Sequence, residues 1–446
     1  MKGLSWLVVR ASAAVLAAAG AAGGQSWDVG YGASQWLKRH SENRLQISLE
    51  SRGRYEYREG VSFGKEPDRS TGLYRTRLGL SVKAASWLKV SAMVQDARAP
   101  WYGAGAPASV RDGADLQEGY VELWPERKRG FGFSAGRRMV NYGETRLLGS
   151  SQWGNLARTW DHASLYWRHE KARIEWLTMS PVKVRQDGFN APGFGDRIWG
   201  LYCNFREWRP KTAGDLYVLR HDQNRPGGFT GGAKAAGTDR LRVNTFGARV
   251  AGPWVGSVRY SLEGAAQTGR VGAAGHRAAA WFSGLSRTWT AGGRPWELTG
   301  EYKFASGTGN PQDASRSGTF DQLYPANHDK FGHADLFGWR NIHAVRSQAT
   351  YGLSRELALH LMYTNTWLAS VRDAVYNGSG KAMFRSPEGT AGRHIGQESD
   401  VFFTYKRGRL TFGAGWGHFI AGEFIRNVTP RRSPVYLYVF HTYALQ

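Results

Sequence analysis

One cysteine, Cys203, stands in 446 residues, so no disulfide can form within the chain and no lipid-attachment cysteine follows its start. No paired His and Asp accompany Cys203, which excludes it as a catalytic nucleophile and leaves it to face lipid or a neighbouring strand. After the first residues, no window approaches the roughly eighteen consecutive apolar residues of a spanning helix, which rules out a helical membrane protein. Acidic residues are scarce, 36 against 59 basic ones, for a formal charge of +23. Such an excess favours anionic partners. Neither a phosphate-cradling glycine loop, a zinc motif nor a nucleophile elbow appears, so no catalytic residue, metal or cofactor is assigned.

The chain opens on Lys2 and Arg10, followed by the small, apolar run Ala11 to Ala22. That is the pattern of a secretory signal peptide, too short to span a bilayer, with cleavage expected around Ala19 to Gly24. Residues 1–24 are therefore read as signal and 25–446 as one mature domain. An exported basic protein meets lipid phosphate, phosphate or acidic polysaccharide, and nucleic acid is not an expected partner.

Glycine and aromatics are abundant, with 58 Gly, 19 Trp, 20 Tyr and 20 Phe. Beyond residue 43 the dominant period is two, the strand period. Leu45, Ile47, Leu49, Tyr55 and Tyr57 alternate with Gln46, Glu50, Arg52, Arg54, Glu56 and Arg58. Tyr74, Thr76, Leu78, Leu80 and Val82 alternate with Arg75, Arg77, Gly79, Ser81 and Lys83. The same reading sets Val258, Tyr260 and Leu262 against Arg259, Ser261 and Glu263 in a segment starting at Trp254, and Leu298, Tyr302 and Phe304 against Glu297, Glu301 and Lys303. Each segment is long enough to cross hydrocarbon when tilted, whereas strands of soluble domains are shorter. The expectation is an all-β fold, a transmembrane antiparallel barrel of about eighteen strands in the bacterial outer membrane. Short turns, as at Ala85-Ser86 and Gly408, should be periplasmic. Long polar stretches (Pro100–Gly113, Val182–Gly195, Asp222–Arg240, Ser306–Arg340 and Ser370–Gly396) should be extracellular. The aromatic segment Pro434–Gln446 should close the barrel against the first strand.

Three stretches resemble the alginate export family of bacterial outer membranes. The first runs from Gly136-Arg137-Arg138 through Tyr142-Gly143-Glu144, Arg146-Leu147-Leu148-Gly149 and Trp153-Gly154-Asn155 to Arg158-Thr159-Trp160-Asp161. The second is Thr319 to Pro325, Asn327-His328 and Ala334 to Trp339 with Asn341-Ile342; the third is Gly396-Gln397-Glu398, Leu410 to Phe419 and Gly422-Glu423-Phe424. The resemblance implies an eighteen-stranded barrel whose cationic constriction passes a polymer of uronic acids.

Alternation independently places Arg52, Arg54, Arg75, Arg77, Arg259 and Arg346 on the lumen wall, since an arginine facing lipid at midplane costs about 2 to 4 kcal/mol. The motif of the resembled family adds Arg137, Arg138, Arg146 and Arg158, and alternation favours Arg138 over Arg137 for the lumen. Guanidinium stays charged and grips carboxylates in pairs of hydrogen bonds, yet wetted pairs are weak, about 0 to 1 kcal/mol, so a polyanion can move along them. Glu50, Glu56, Glu297 and Glu301 should pair with some of these arginines. Against this stands the reading that the charges only bridge strands inside a plugged barrel. Asp321, His328, Asp329, His333 and Asp335 match no metal-site spacing and are read as a polar loop with ordinary hydrogen bonds, and Asn377-Gly378-Ser379, which matches a glycosylation acceptor, as a loop turn. The functional expectation is an exporter of an anionic exopolysaccharide, served by periplasmic secretion components; the runner-up is an uptake porin for acidic oligosaccharides or small anions.

Overall fold

The computed structural model describes residues 44–102, 106–186, 188–224, 240–430 and 433–445. The signal-peptide expectation lies outside them. Eighteen long antiparallel strands form one closed sheet. In chain order they are β1 (Leu45–Glu59), β2 (Arg69–Ala85), β3 (Leu88–Arg98), β4 (Asp112–Leu123), β5 (Gly130–Arg138) and β6 (Trp160–His169). Next come β7 (Ala172–Lys183), β8 (Asp196–Arg206), β9 (Ala213–Gln223), β10 (Leu241–Pro253), β11 (Val258–Val271) and β12 (Ala274–Ala291). The last six are β13 (Arg294–Ala305), β14 (Ile342–Gly352), β15 (Leu357–Leu368), β16 (His394–Arg407), β17 (Leu410–Ala421) and β18 (Val435–Leu445). Each strand pairs with the next, and β18 pairs back onto β1, Val439 opposite Tyr55, so the sheet has no open edge. Closure satisfies the backbone polar groups that lipid cannot.

The period of two sorts the side chains. Leu78 is 52% exposed on the outer wall, while its neighbour Arg77 is 4% exposed inside. Cys203, opposite Ile174 and Leu216, lies on the outer face of β8. Aromatic rings gather where the wall leaves the apolar band. At the short-turn rim Trp296 stacks between Trp289 and Tyr351, with centroids 6.1 and 4.3 Å away. Near the other rim Tyr55 meets Trp101 edge to face. Such girdles suit rings with one polar edge.

Three details differ from the sequence reading. The segment assigned from Trp254 begins at Val258, because residues 254–257 form the turn after β10, with Gly256 at φ 56°. A left-handed residue is what so tight a reversal needs. The turn between β11 and β12, at the rim of the long loops, has only Gly272 and Ala273. Finally, the 139–159 segment, rich in the motifs of the resembled family, is itself a long loop, and the 422–434 segment carries a short helix, α1 (Glu423–Val428).

The 139–159, 306–341 and 369–393 loops fold into the barrel. Phe320, Phe331, Phe337 and Trp339 from the 306–341 loop are buried, as are Leu147 and Leu148 from the 139–159 loop and Phe424 of α1. With Phe63 and the 369–393 loop they build an apolar core inside the long-loop half of the barrel. The 306–341 loop packs inward because rings of that size are costly to leave in water.

Candidate functional site

The register sets Arg52 directly opposite Arg75, and Arg54 and Arg77 flank this pair on the same inner face. The four guanidiniums meet the 139–159 loop, three of them at its backbone. Arg52 donates to the carbonyls of Gln152 (3.0 Å) and Gly154 (2.7 Å). Arg54 donates to the Trp153 carbonyl (2.5 Å) and lies 4.2 Å from the Trp153 ring centroid. Arg75 donates to the carbonyls of Gln152 (3.1 Å) and Gly154 (3.0 Å), and its Nε to Glu50 (2.8 Å). Arg77 donates to the side-chain oxygens of Gln152 and Gln95, both at 2.7 Å. The expected patch exists, but a loop from about a hundred residues away covers it. Two carboxylates serve the cluster, Glu50 on Arg75 and Arg77 and Glu56 on Arg54. Backbone carbonyls, only partially negative, take the remaining charge.

Other contacts lock this loop. Asn155 donates to the carbonyls of Tyr74, Arg98 and Val110. One nitrogen of Arg158 donates to the carbonyls of Gly149 (2.9 Å), Tyr324 (2.8 Å) and Pro325 (3.2 Å), which ties the 139–159 loop to the 306–341 loop. Burial lowers the pKa of Arg158 to about 10, still well above neutrality. Arg146 reaches Glu263 on β11 (2.9 Å) and lies 3.4 Å from the Phe282 ring centroid. Arg346 holds Glu301 through two bonds of 2.8 Å and donates to the Asp329 carbonyl. Arg146, Arg158 and Arg346 therefore secure the plug. Arg259 faces the lumen at the short-turn end of β11, exposed and away from the other eight. Arg137 pairs with Asp161 on the outer side, leaving Arg138 inside beside Glu122, as alternation favoured. Between β4 and β5, Gly136 has φ 127°, and a Cβ there would fall 2.3 Å from the Gly119 carbonyl oxygen, so glycine is required.

The histidines and acids of the 306–341 loop are structural, and no metal-binding cluster exists among the described residues. His328 stacks on Trp153 at 4.0 Å and contacts Asp335 at 2.8 Å. His333 is hydrogen-bonded to Tyr438 at 2.9 Å. Burial, with His328 adding repulsion, holds His333 at about 3, below the ordinary 6.5. A histidine depressed in the folded state contributes its full stability above about 6.5 and loses it progressively as pH falls toward 3. Amide exchange of residues 328–336 should therefore quicken over that window, and less steeply in His333→Gln. A pH-independent rate in the native protein would refute this assignment.

Beneath the plug the inner wall is basic. A cavity of ≈ 580 Å³ is lined by Arg138, Arg173, Arg206 and Arg249 with Glu175 and Asp215. Arg173, Asn204 and Arg206 also line a second cavity of ≈ 480 Å³ at the short-turn mouth, with Arg127, Lys128, Arg168 and Lys171. Arginines therefore line the wall from the mouth to the underside of the plug. Arg173, Arg206 and Arg249 are not among the arginines that the sequence analysis places on the lumen wall. Alternation could have found them, since Arg249 follows outward Ala248 and Arg173 precedes outward Ile174.

Residues 43–438 match the alginate export family. The chain belongs to that family. No curated protein matches it in sequence. Among solved structures it is similar to barrels of Pseudomonas aeruginosa. OccK8 (OprE) is 11% identical with a TM-score of 0.59, over 90% of this chain and 98% of that one. OpdK, solved with vanillate, gives the same values, and OccD3 (OpdP) is 13% identical with a TM-score of 0.57, over 90% and 91%. This protein is thus a porin-like channel of the bacterial outer membrane.

Proposed function

We propose that the channel exports an anionic, uronic-acid-type polysaccharide, entering from the periplasm along the arginine wall and displacing the latched loop. The observation that carries this reading is the run of basic residues from the periplasmic mouth to Arg138 and Arg249, directly beneath the plug. A polymer carboxylate offers full negative charge where the loop offers carbonyl dipoles, so Arg52, Arg54, Arg75 and Arg77 would exchange one set of acceptors for a stronger one. Arg146, Arg158 and Arg346 would hold the remaining plug in place, and Arg259 would meet the chain near its entry. Catalysis and cofactors have no part in this reading. Periplasmic secretion components would deliver the polymer, and nucleic acid is not a ligand.

Uptake of small acids is the second reading, favoured by the likeness to OpdK, whose structure contains the carboxylate vanillate. Planar-bilayer recording tests both. Export predicts anion selectivity, and block by oligouronates added on the periplasmic side but not by neutral glucans of equal length. Block from the extracellular side only would favour uptake; a cation-selective channel would overturn both.

A further inference from the structure

At the extracellular end of β8 to β12 the outer wall turns from apolar to arginine-rich. Across the sheet, Arg220, Asn244, Thr268 and Arg277 occupy one outward row, and Asp222, Arg242, Arg270 and Gly275 the next. Arg197 lies opposite Asp222, and Arg316 pairs alongside Gly275. Six arginines thus face outward beside two carboxylates, Asp222 and Asp313. Asp222 is engaged by Arg220 (2.9 Å) and Trp199 (2.9 Å), and Asp313 stands 3.9 Å from Arg316. Arg242 and Arg270 are directly opposed in register and both exposed. Like charges in that position repel, which an anion between them would reverse.

Two concavities flank this patch. Beside it lies a polar pocket of ≈ 1070 Å³, lined by Thr268, Arg277, Asn310, Asp313, Ser315 and Arg316. The two-residue turn at Gly272 and Ala273 keeps the rim low beside it. Below, on the same strands, Gly214, Ala248 and Gly264 leave an apolar groove of ≈ 630 Å³ bordered by Leu216, Leu262 and Trp281. Leu216 precedes Arg220 by two steps of the pleat, about 13 Å along the strand. A phosphate on the arginines would therefore sit an acyl chain's reach above the groove.

We propose that this wall binds the phosphorylated glycolipid of the outer leaflet, phosphates on Arg242, Arg270 and Arg277, and an acyl chain in the groove beneath. Guanidinium pairs suit phosphate because each can donate two parallel hydrogen bonds to it. The site lies outside the barrel and is independent of the conducting path.

The test uses the full-length barrel in phosphatidylcholine nanodiscs doped with diphosphoryl lipid A, with retained lipid read by native mass spectrometry. Arg242→Gln, Arg270→Gln and Arg277→Gln together should weaken retention by about fivefold per arginine, on the order of a hundredfold in all. Ala248→Phe, which fills the groove and spares every charge, should also weaken it. Dephosphorylated lipid should bind native protein no better than intact lipid binds the triple variant. Anion conductance should be unchanged in the triple variant, which separates this proposal from the export reading. Undiminished retention by the triple variant would overturn the proposal. So would full displacement by inorganic phosphate at matched concentration, which would reduce the patch to a simple anion site.

Discussion

Replacing Arg75 and Arg77 together by glutamate should raise single-channel conductance several-fold and weaken anion preference, while the barrel still assembles. From the sequence alone, this change reverses the sign of a cationic patch on the lumen wall and should alter anion preference and abolish polyanion passage. The structure adds a mechanical consequence. Arg75 grips the 152–154 backbone and Arg77 the Gln152 side chain. Each charge-assisted hydrogen bond of this kind contributes about 1.5 to 3 kcal/mol. Glutamate at both positions would lose these bonds and repel the same carbonyl oxygens, so the loop should leave the wall. Both new side chains face the lumen, so the outer surface is untouched. Planar-bilayer conductance with reversal potentials across a salt gradient reads both effects, and periplasmic oligouronate should no longer block. Unchanged conductance would show that the arginine-held loop does not restrict the channel; unchanged selectivity would remove these arginines from the conducting path.

The second large effect concerns the opposite wall of the same strand. Leu78→Arg with Leu80→Arg should prevent insertion, because both side chains are exposed on the outer face at 52% and 43%. Arginine at the bilayer midplane costs about 2 to 4 kcal/mol per site, a sum comparable with the whole stability of many proteins. Folding into lipid vesicles, followed by the gel shift of unheated samples, should show little or no folded species. Arg77→Ala, one residue from Leu78, should fold normally and provides the matched control. Efficient insertion of the double arginine variant would falsify the lipid-facing assignment of this strand.

The legibility of this protein differs sharply between wall and plug. On the wall, neighbouring residues alone turn Arg52, Arg54, Arg75, Arg77 and Arg346 inward, and the register places them there. Arg138 was preferred over Arg137 on the same ground, and the Arg137–Asp161 pair on the outer side shows why. In the plug the same kind of reading fell short. The 139–159 segment could be recognised by its motif residues without revealing that its carbonyls cap the arginines of β1 and β2. Its partners are about a hundred residues away in the chain, and backbone carbonyls carry no side-chain signature. Gly332, at φ 110°, lies so near Glu398 that a Cβ would come within 2.3 Å of the carboxylate carbon. Nothing in the residues around it announces that approach.

The sequence by itself determined the barrel, its approximate strand number, the lipid or lumen face of the residues in its clearly alternating strands and the basic character of the interior. Each of these follows from a two-residue period imposed by hydrocarbon on one side and water on the other, a constraint that acts locally along every strand. Only the tertiary structure decided that most of the candidate arginines hold a plug, that Arg173, Arg206 and Arg249 converge on one cavity below it, and that outward arginines of several strands gather into one patch on the outer face of β8 to β12. Those outcomes depend on which strands closure makes neighbours and on where inward-folded loops come to rest. Both are set by contacts between residues far apart in the chain, which no local pattern encodes.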